Sequence, residues 1–337
     1  MGEGYLTLSL SPTTLTTDGP TMGDRVFEKL ADPARLKKSP IFIFAADALT
    51  ACGIGSVGIE RHPKPHPRTR PEYVQLQRDI LHDGYIDGLL MSPADAEVLA
   101  SDEKLFDASP VTPIVRMNAE TRIWSPRHGR YGRQPSRPFT TIRTVEAGRY
   151  CEEAMACARD CKIRLGLYSI TLNNDAEADE RTLNAYLDLA WECANTPDFH
   201  HFLEVFLPNM QQPGMDAQAM GEYVADSIVR TMAHLRKRQR PLFIKTVYTT
   251  PQVWKSLVEF DPTLVIGALG GVRINAKHTL ELAYKSTEQG GRVILFGRAI
   301  FQEDNPRIMC RMLRAVLDRE MTVNDALLAY QRTLRAK

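Results

Sequence analysis

The 337-residue chain contains no apolar run approaching the ~18–20 residues of a membrane-spanning helix, which excludes such a helix and with it a membrane partner. Net charge is also nearly absent, with 42 Lys and Arg against 41 Asp and Glu. General nucleic-acid binding works by neutralising phosphates, so nucleic acid is not an expected partner. None of the six cysteines (Cys52, Cys151, Cys157, Cys161, Cys193 and Cys310) forms a C-x-x-C pair. Only Cys157 and Cys161 share helical i,i+4 spacing, so buried free thiols in a reducing cytoplasm are expected, not disulfides or a metal site. H-E-x-x-H is missing as well, and no metal or other cofactor is expected. "MGEGYLTLSLSPTTLTTDGP" lacks the basic start and apolar core of a signal peptide, and Leu6 stands where a myristoylated terminus carries Ser or Thr.

Eight short apolar runs are present instead. They are "PIFIFAAD" (40–47), "YIDGLLMS" (85–92), "TPIVRMN" (112–118), "KIRLGLYSI" (162–170), "HFLEVFLP" (201–208), "PLFIKTVY" (241–248), "PTLVIGAL" (262–269) and "GRVILFGR" (291–298). Short runs of this kind suit strands covered on both faces. Helical patterns separate most of them, among them "PEYVQLQRDILHDG" with Gly84 as its stop, "TVEAGRYCEEAMACARDC" and "ADERTLNAYLDLAWECANT". Two further amphipathic segments, "NPRIMCRMLRAVLDRE" and "TVNDALLAYQRTLRA", follow the last run.

Eight strands alternating with helices predict an α/β fold, a (β/α)8 TIM barrel in a single domain. An open doubly wound sheet is the competitor, but no G-x-G-x-x-G follows the first strand. The expected boundaries are an N-terminal extension over 1–38, the barrel over 39–305, and C-terminal helices packed on it over 306–337. The segments after strands one, three and five are long and belong on the C-terminal face, where they suggest a lid. The second of them carries Arg122, Arg127, Arg130, Arg133, Arg137 and Arg143. These arginines suit an anionic substrate, a solvated face or an oligomer contact equally well.

"PLFIKTVYTTP" places Lys245 inside a run that otherwise reads as a buried strand. An isolated strand lysine is ordinarily an edge residue that discourages aggregation. A closed barrel has no edge, so Lys245 is expected to point inward with Phe243 and Val247. Asp47 ends strand one, Asn118 ends strand three, Arg164 lies in strand four and Glu204 in strand five. Asp47 and Asn118 could serve turns, and Arg164 and Glu204 a structural ion pair. Five polar residues on five of the eight strands nevertheless form a costly interior cluster of the kind found at active sites. Gly270 and Gly271 after strand seven, and Gly297 and Arg298 after strand eight, sit where barrels of this type commonly hold phosphate. His200 and His201 are expected at the opposite face.

The order Asp47, "FLEVFLP", "FIKTVYTTP", "GALGGVR" and "ILFGRAIFQEDNP" resembles the class I, Schiff-base-forming aldolases of the deoxyribose-phosphate and fructose-bisphosphate type. It is most similar to tagatose-bisphosphate aldolases, their sulfosugar-phosphate relatives and archaeal-type class I fructose-bisphosphate aldolases, roughly over residues 40–305. The resemblance implies that Lys245 forms the imine, Glu204 transfers protons, and Asp47 supports the lysine. It places Arg164 where tagatose-bisphosphate aldolases carry an active-site lysine, and Gly271, Gly297 and Arg298 on a substrate phosphate. The histidine that often follows the first-strand aspartate is Ala48 here, and Phe206 and Leu207 stand in the region of a strand-five tyrosine. The expected activity is metal-independent cleavage of a phosphorylated ketose or related keto-sugar. Transaldol or acyl transfer, and a non-catalytic sugar-phosphate-binding barrel, are the alternatives. The expected partner is a small phosphorylated sugar, with the N-terminal forty residues and the basic loops as candidate contacts in a homo-oligomer.

Overall fold

A computed structural model describes residues 24–61, 63–144 and 163–335. Eight parallel strands close into a barrel: β1 Ile41–Ala46, β2 Gly88–Met91, β3 Thr112–Arg116, β4 Leu165–Thr171, β5 His200–Phe206, β6 Ile244–Thr246, β7 Ile266–Leu269 and β8 Val293–Phe296. Each strand pairs with its neighbours in sequence, and β1 pairs with β8 to complete the ring. Every apolar run of the sequence thus supplies one strand. All residues of β1 and β4 are buried, because helices cover the outer face while side chains fill the inner one.

The helices start where short polar side chains satisfy their first backbone N–H groups. Thr69 and Glu72 form a capping box ahead of Arg70–Asp83, and Gly84, at φ 74°, closes that helix in the left-handed region. Asp175, Asp216, Thr250 and Asn275 cap Ala176–Asn195, Ala217–Ala233, Pro251–Phe260 and Ala276–Glu288, each side chain accepting from a backbone N–H of the first turn. No helix was evident from the sequence between β2 and β3, yet Ser92 caps a turn at Pro93–Ala96 that runs into a wider helical turn at Glu97–Asp102. That piece is too short and irregular to show a helical period. The helix expected before β4 falls outside the described residues from 145 onward, as do Cys151, Cys157 and Cys161 and residues 1–23. Helix Pro306–Leu317 packs against Arg70–Asp83 and Ala276–Glu288, with Val323–Arg335 against it. Among the described residues no helix is long and apolar enough to cross a membrane.

Two apolar cores result, one between strands and helices and one inside the barrel. Inside, Ile43 of β1, Ile114 of β3, Leu167 of β4, Phe202 of β5, Phe243 just before β6 and Leu295 of β8 pack together. The Phe202 and Phe243 rings stack with centroids 4.4 Å apart. Val26 and Leu36, from helices Arg25–Ala31 and Pro33–Lys38, plug the N-terminal end. Gly88 makes room for this plug, since a Cβ there would stand 2.9 Å from Ile114 and 3.2 Å from Val26. The N-terminal half of the barrel is therefore solid, and any site must form at the other end.

Candidate active site

Side chains alternate along each strand, so the residue two positions beyond each inner apolar side chain also faces inward. Those positions hold Asp47 after Ala45, Arg116 after Ile114, Ser169 after Leu167, Glu204 after Phe202 and Lys245 after Phe243. Strand register sets Lys245 beside Glu204 and Glu204 beside Ser169. A single polar layer thus caps the apolar core.

The layer is a chain of alternating charges. Lys245 Nζ lies 2.6 Å from Glu204 Oε1. The Arg116 guanidinium donates to Glu204 Oε2 at 3.3 Å and pairs with Asp47 through Nε. Ser169 Oγ donates to Glu204 Oε2 at 2.7 Å and accepts from Arg116 Nη1 at 3.0 Å. Asp47 is 9 % exposed, Lys245 5 %, Arg116 4 % and Glu204 2 %, so all four charges are withdrawn from water and depend on one another. Burial by itself would raise the Asp47 carboxyl, but Arg116 and Lys245 outweigh it and hold the group below the ordinary carboxylate value. Burial would likewise lower Arg116, and its two carboxylate partners reverse that too.

A cavity of about 580 Å³ opens onto this layer from the C-terminal end. Asp47, Arg116, Glu204 and Lys245 form its floor, and the loops after β1, β3 and β5 contribute walls through Thr50, Arg122 and Asn209. Gly270, Gly271, Gly297 and Arg298 line it from the ends of β7 and β8. Gly271 has φ 64°, and a Cβ at Gly297 would lie 2.5 Å from the Ala45 carbonyl oxygen, so both glycines are required by backbone geometry.

Seven sequence-predicted residues therefore share one cavity: Asp47, Glu204, Lys245, Gly270, Gly271, Gly297 and Arg298. Arg164 does not join them, contrary to its expected place. It precedes β4 at the opposite end of the barrel, paired with Asp24 and lying 5.0 Å from the Phe27 ring centroid. The inward faces of β4 are Leu165, Leu167 and Ser169, so Arg164 has the wrong parity as well as the wrong end. Asn118 lies past the end of β3, in a hairpin formed by Asn118–Glu120 and Pro138–Thr140. Its amide is consumed by the Ser169 backbone, donating to the carbonyl and accepting from the N–H, both at 2.8 Å. It anchors the hairpin and does not line the cavity. Arg116 and Ser169 were missed by the sequence reading, although counting two residues beyond Ile114 and Leu167 identifies both. Of the loop arginines, Arg122 reaches the cavity, whereas Arg127, Arg130, Arg133 and Arg137 are exposed and do not line it.

His200 and His201 begin β5 at the N-terminal end, where burial pushes the His201 imidazole down to about 3 and Tyr186 Oη contacts its Nε2 at 3.1 Å. Among the described residues no group of three or more His, Cys, Asp or Glu side chains could hold a metal ion.

The barrel that carries this layer has counterparts in fold among solved structures. An archaeal fructose 1,6-bisphosphate aldolase superposes with a TM-score of 0.61 at 15 % identity, covering 86 % of this chain and 99 % of that one. A second archaeal structure of that enzyme, with its catalytic Lys covalently bound to the carbinolamine intermediate of the substrate, gives 0.60 at 16 % identity over 86 % and 99 %. Fructose-bisphosphate aldolase from Slackia heliotrinireducens gives 0.62 at 15 % identity over 94 % and 93 %. The chain therefore shares the (β/α)8 fold of class I fructose-bisphosphate aldolases. No protein-family model and no curated protein matches the sequence.

Proposed function

We propose that the protein is a class I aldolase, an aldehyde-lyase that reversibly cleaves a phosphorylated ketose or related keto-sugar through a Schiff base on Lys245. The observation that carries this reading is the buried contact of 2.6 Å between Lys245 Nζ and Glu204 Oε1 at the floor of the cavity. An amine attacks a carbonyl only when neutral, and Glu204 is within reach to take the ammonium proton. The C–N bond then forms at the ketose carbonyl carbon as the carbonyl π pair moves to oxygen, which takes a proton from the new nitrogen cation to give the carbinolamine. Glu204 returns the proton to the carbinolamine oxygen, which leaves as water and gives the iminium ion. Glu204 next removes the proton of the β-hydroxyl, the bond between the α and β carbons breaks, and its electron pair moves toward the iminium nitrogen. An aldehyde departs, leaving an enamine that is protonated and hydrolysed. Arg116 and Asp47 act as positioning residues, fixing the unused Glu204 oxygen so that the other remains directed at Lys245. Gly270, Gly271, Gly297 and Arg298 are assigned to a substrate phosphate, with no metal taking part, and a cytoplasmic location fits such a substrate.

The test is reductive trapping. Wild-type protein is mixed with borohydride and a panel of phosphorylated ketoses, including fructose 1,6-bisphosphate, and the peptide containing Lys245 is weighed by mass spectrometry. An adduct on Lys245 is expected. Binding of the same compounds without any adduct overturns the Schiff-base assignment and leaves a sugar-phosphate-binding barrel. Product analysis with added acceptors separates cleavage from transaldol or acyl transfer.

A further inference from the structure

We propose that Arg122, carried on the hairpin after β3, is a specificity-determining residue that binds an anionic group at the outer end of the substrate, and that Glu120 beside it governs how tightly it does so. Naming the ligand a substrate rests on the aldolase reading; the binding of an anion does not.

Four cationic side chains line the cavity, but they are not equivalent. The charges of Arg116 and Lys245 are matched by Asp47 and Glu204. Among the described residues neither Arg122 nor Arg298 forms an ion pair, and both face the same space. Arg298 comes from the end of β8 and Arg122 from the hairpin after β3, and the two charges are near enough to repel each other. Arg122 Nε is shut off from solvent with no hydrogen-bond partner. A buried donor left this way is costly, and no described residue takes up the Arg122 charge in an ion pair, so the part of its side chain that lines the cavity is left to an anion.

Arg122 is also held in place before any ligand arrives. Its guanidinium lies 4.5 Å from the centroid of the Phe206 ring, itself part of the cavity wall. The hairpin is pinned at its base by Asn118 on Ser169, and farther out by Asn209 Nδ2, which donates to the carbonyls of Gly132 at 3.3 Å and Gln134 at 2.8 Å. Between residues 121 and 144 the chain has six arginines and no acidic residue, so Glu120 is the only carboxylate this segment brings near Arg122.

Glu120 is buried and accepts a hydrogen bond from Thr171 Oγ1 on β4. Arg122 on its own hairpin, Arg116 of β3, Glu204 of β5 and Tyr168 of β4 also act on it. Burial, with repulsion from Glu204, pushes its carboxyl up to about 7 against the Thr171 hydrogen bond and the two arginines. Below that pH Glu120 is neutral, Glu204 is the remaining carboxylate that acts on Arg122, and more of the Arg122 charge is available to an anion. Above it, the negative charge of Glu120 partly offsets that of Arg122 through space and repels the ligand. Anion affinity should therefore fall as pH rises through about 7.

The experiment uses propane-1,3-disulfonate, whose charges do not titrate in this range and which has no carbonyl. Calorimetry is run on the full chain one pH unit either side of about 7. Wild type should bind more tightly on the acidic side. Arg122→Gln should weaken that binding about tenfold and reduce the pH dependence to the direct repulsion by Glu120, while Arg122→Lys keeps most of the affinity and of the pH dependence. Glu120→Gln should bind tightly at both pH values. Equal affinity in wild type and Arg122→Gln, or an unchanged pH dependence in Glu120→Gln, overturns the proposal. In the trapping assay Arg122→Gln should need more ketose for half-maximal labelling and reach the same final adduct level. Because the disulfonate cannot form an imine, a failure here and a failure of trapping on Lys245 are read separately.

Discussion

The two ends of this barrel contain the same chemistry put to different use. At the N-terminal end Lys29 Nζ lies 2.8 Å from Asp87 Oδ2, and Arg314 reaches that oxygen at 3.1 Å and also pairs with Asp318. Asp87 Oδ2 further accepts from the Phe42 backbone N–H at 2.8 Å. Each charge there ties one chain segment to another: the first helix, β1, the loop before β2 and helix Pro306–Leu317. At the C-terminal end the layer of Asp47, Arg116, Glu204 and Lys245 is buried to a similar degree, but one side of it faces a cavity of about 580 Å³. Burial drives the pKa of Lys29 down, Asp87 counters this, and Arg314 adds repulsion. Buried charge alone therefore does not mark a candidate site; what singles out the C-terminal layer is the cavity that opens onto it.

Exchanging roles between the two ends should be impossible, and four substitutions test this in order of expected effect. Lys245→Met should abolish cleavage, by at least about a thousandfold in steady-state assays, while the protein stays folded and still binds the disulfonate. Full turnover in that variant would end the Schiff-base assignment. Asp87→Ala should do the reverse, costing about 3–5 kcal/mol of stability in denaturant titration, because it leaves buried Lys29 without its carboxylate and Arg314 with Asp318 alone. Activity per folded molecule should change little.

Asp47→Asn lies between these extremes. The folded carboxyl is held below its ordinary value, so its stabilising contribution exists above the unfolded pKa and disappears as pH falls through the folded one. The variant should be less stable than wild type by about 1–3 kcal/mol near neutrality, and the two should converge below about pH 4. A constant gap across that range would show that packing, not charge, is what the substitution removes. Arg164→Ala should have the smallest effect, at most about 1 kcal/mol of stability and unchanged turnover, because its partner Asp24 lies at the closed end. A loss of activity there would restore Arg164 to the site.

Much of this was legible in the sequence because strands covered on both faces leave continuous apolar runs, and eight of them alternate with helices. Lys245 and Glu204 were legible because a lysine and a glutamate interrupt such runs. Arg116 was harder to see: it closes β3, and the reading favoured Asn118, two residues farther on, where the chain has already turned into a hairpin. Arg164 misled because its run was taken to begin at residue 162, while pairing with β3 and β5 starts at Leu165.

The sequence by itself determined the barrel, its strand order and the kinds of charge it would bury, since hydrophobic periodicity and capping are local properties. Only the tertiary structure decided which charges meet. Whether a polar residue faces the cavity depends on strand parity and on which end of the barrel it occupies, and both follow from register between distant strands. The same long-range pairing set Arg116 between Asp47 and Glu204, sent Arg164 to Asp24, and laid Arg122 across Phe206 at the mouth.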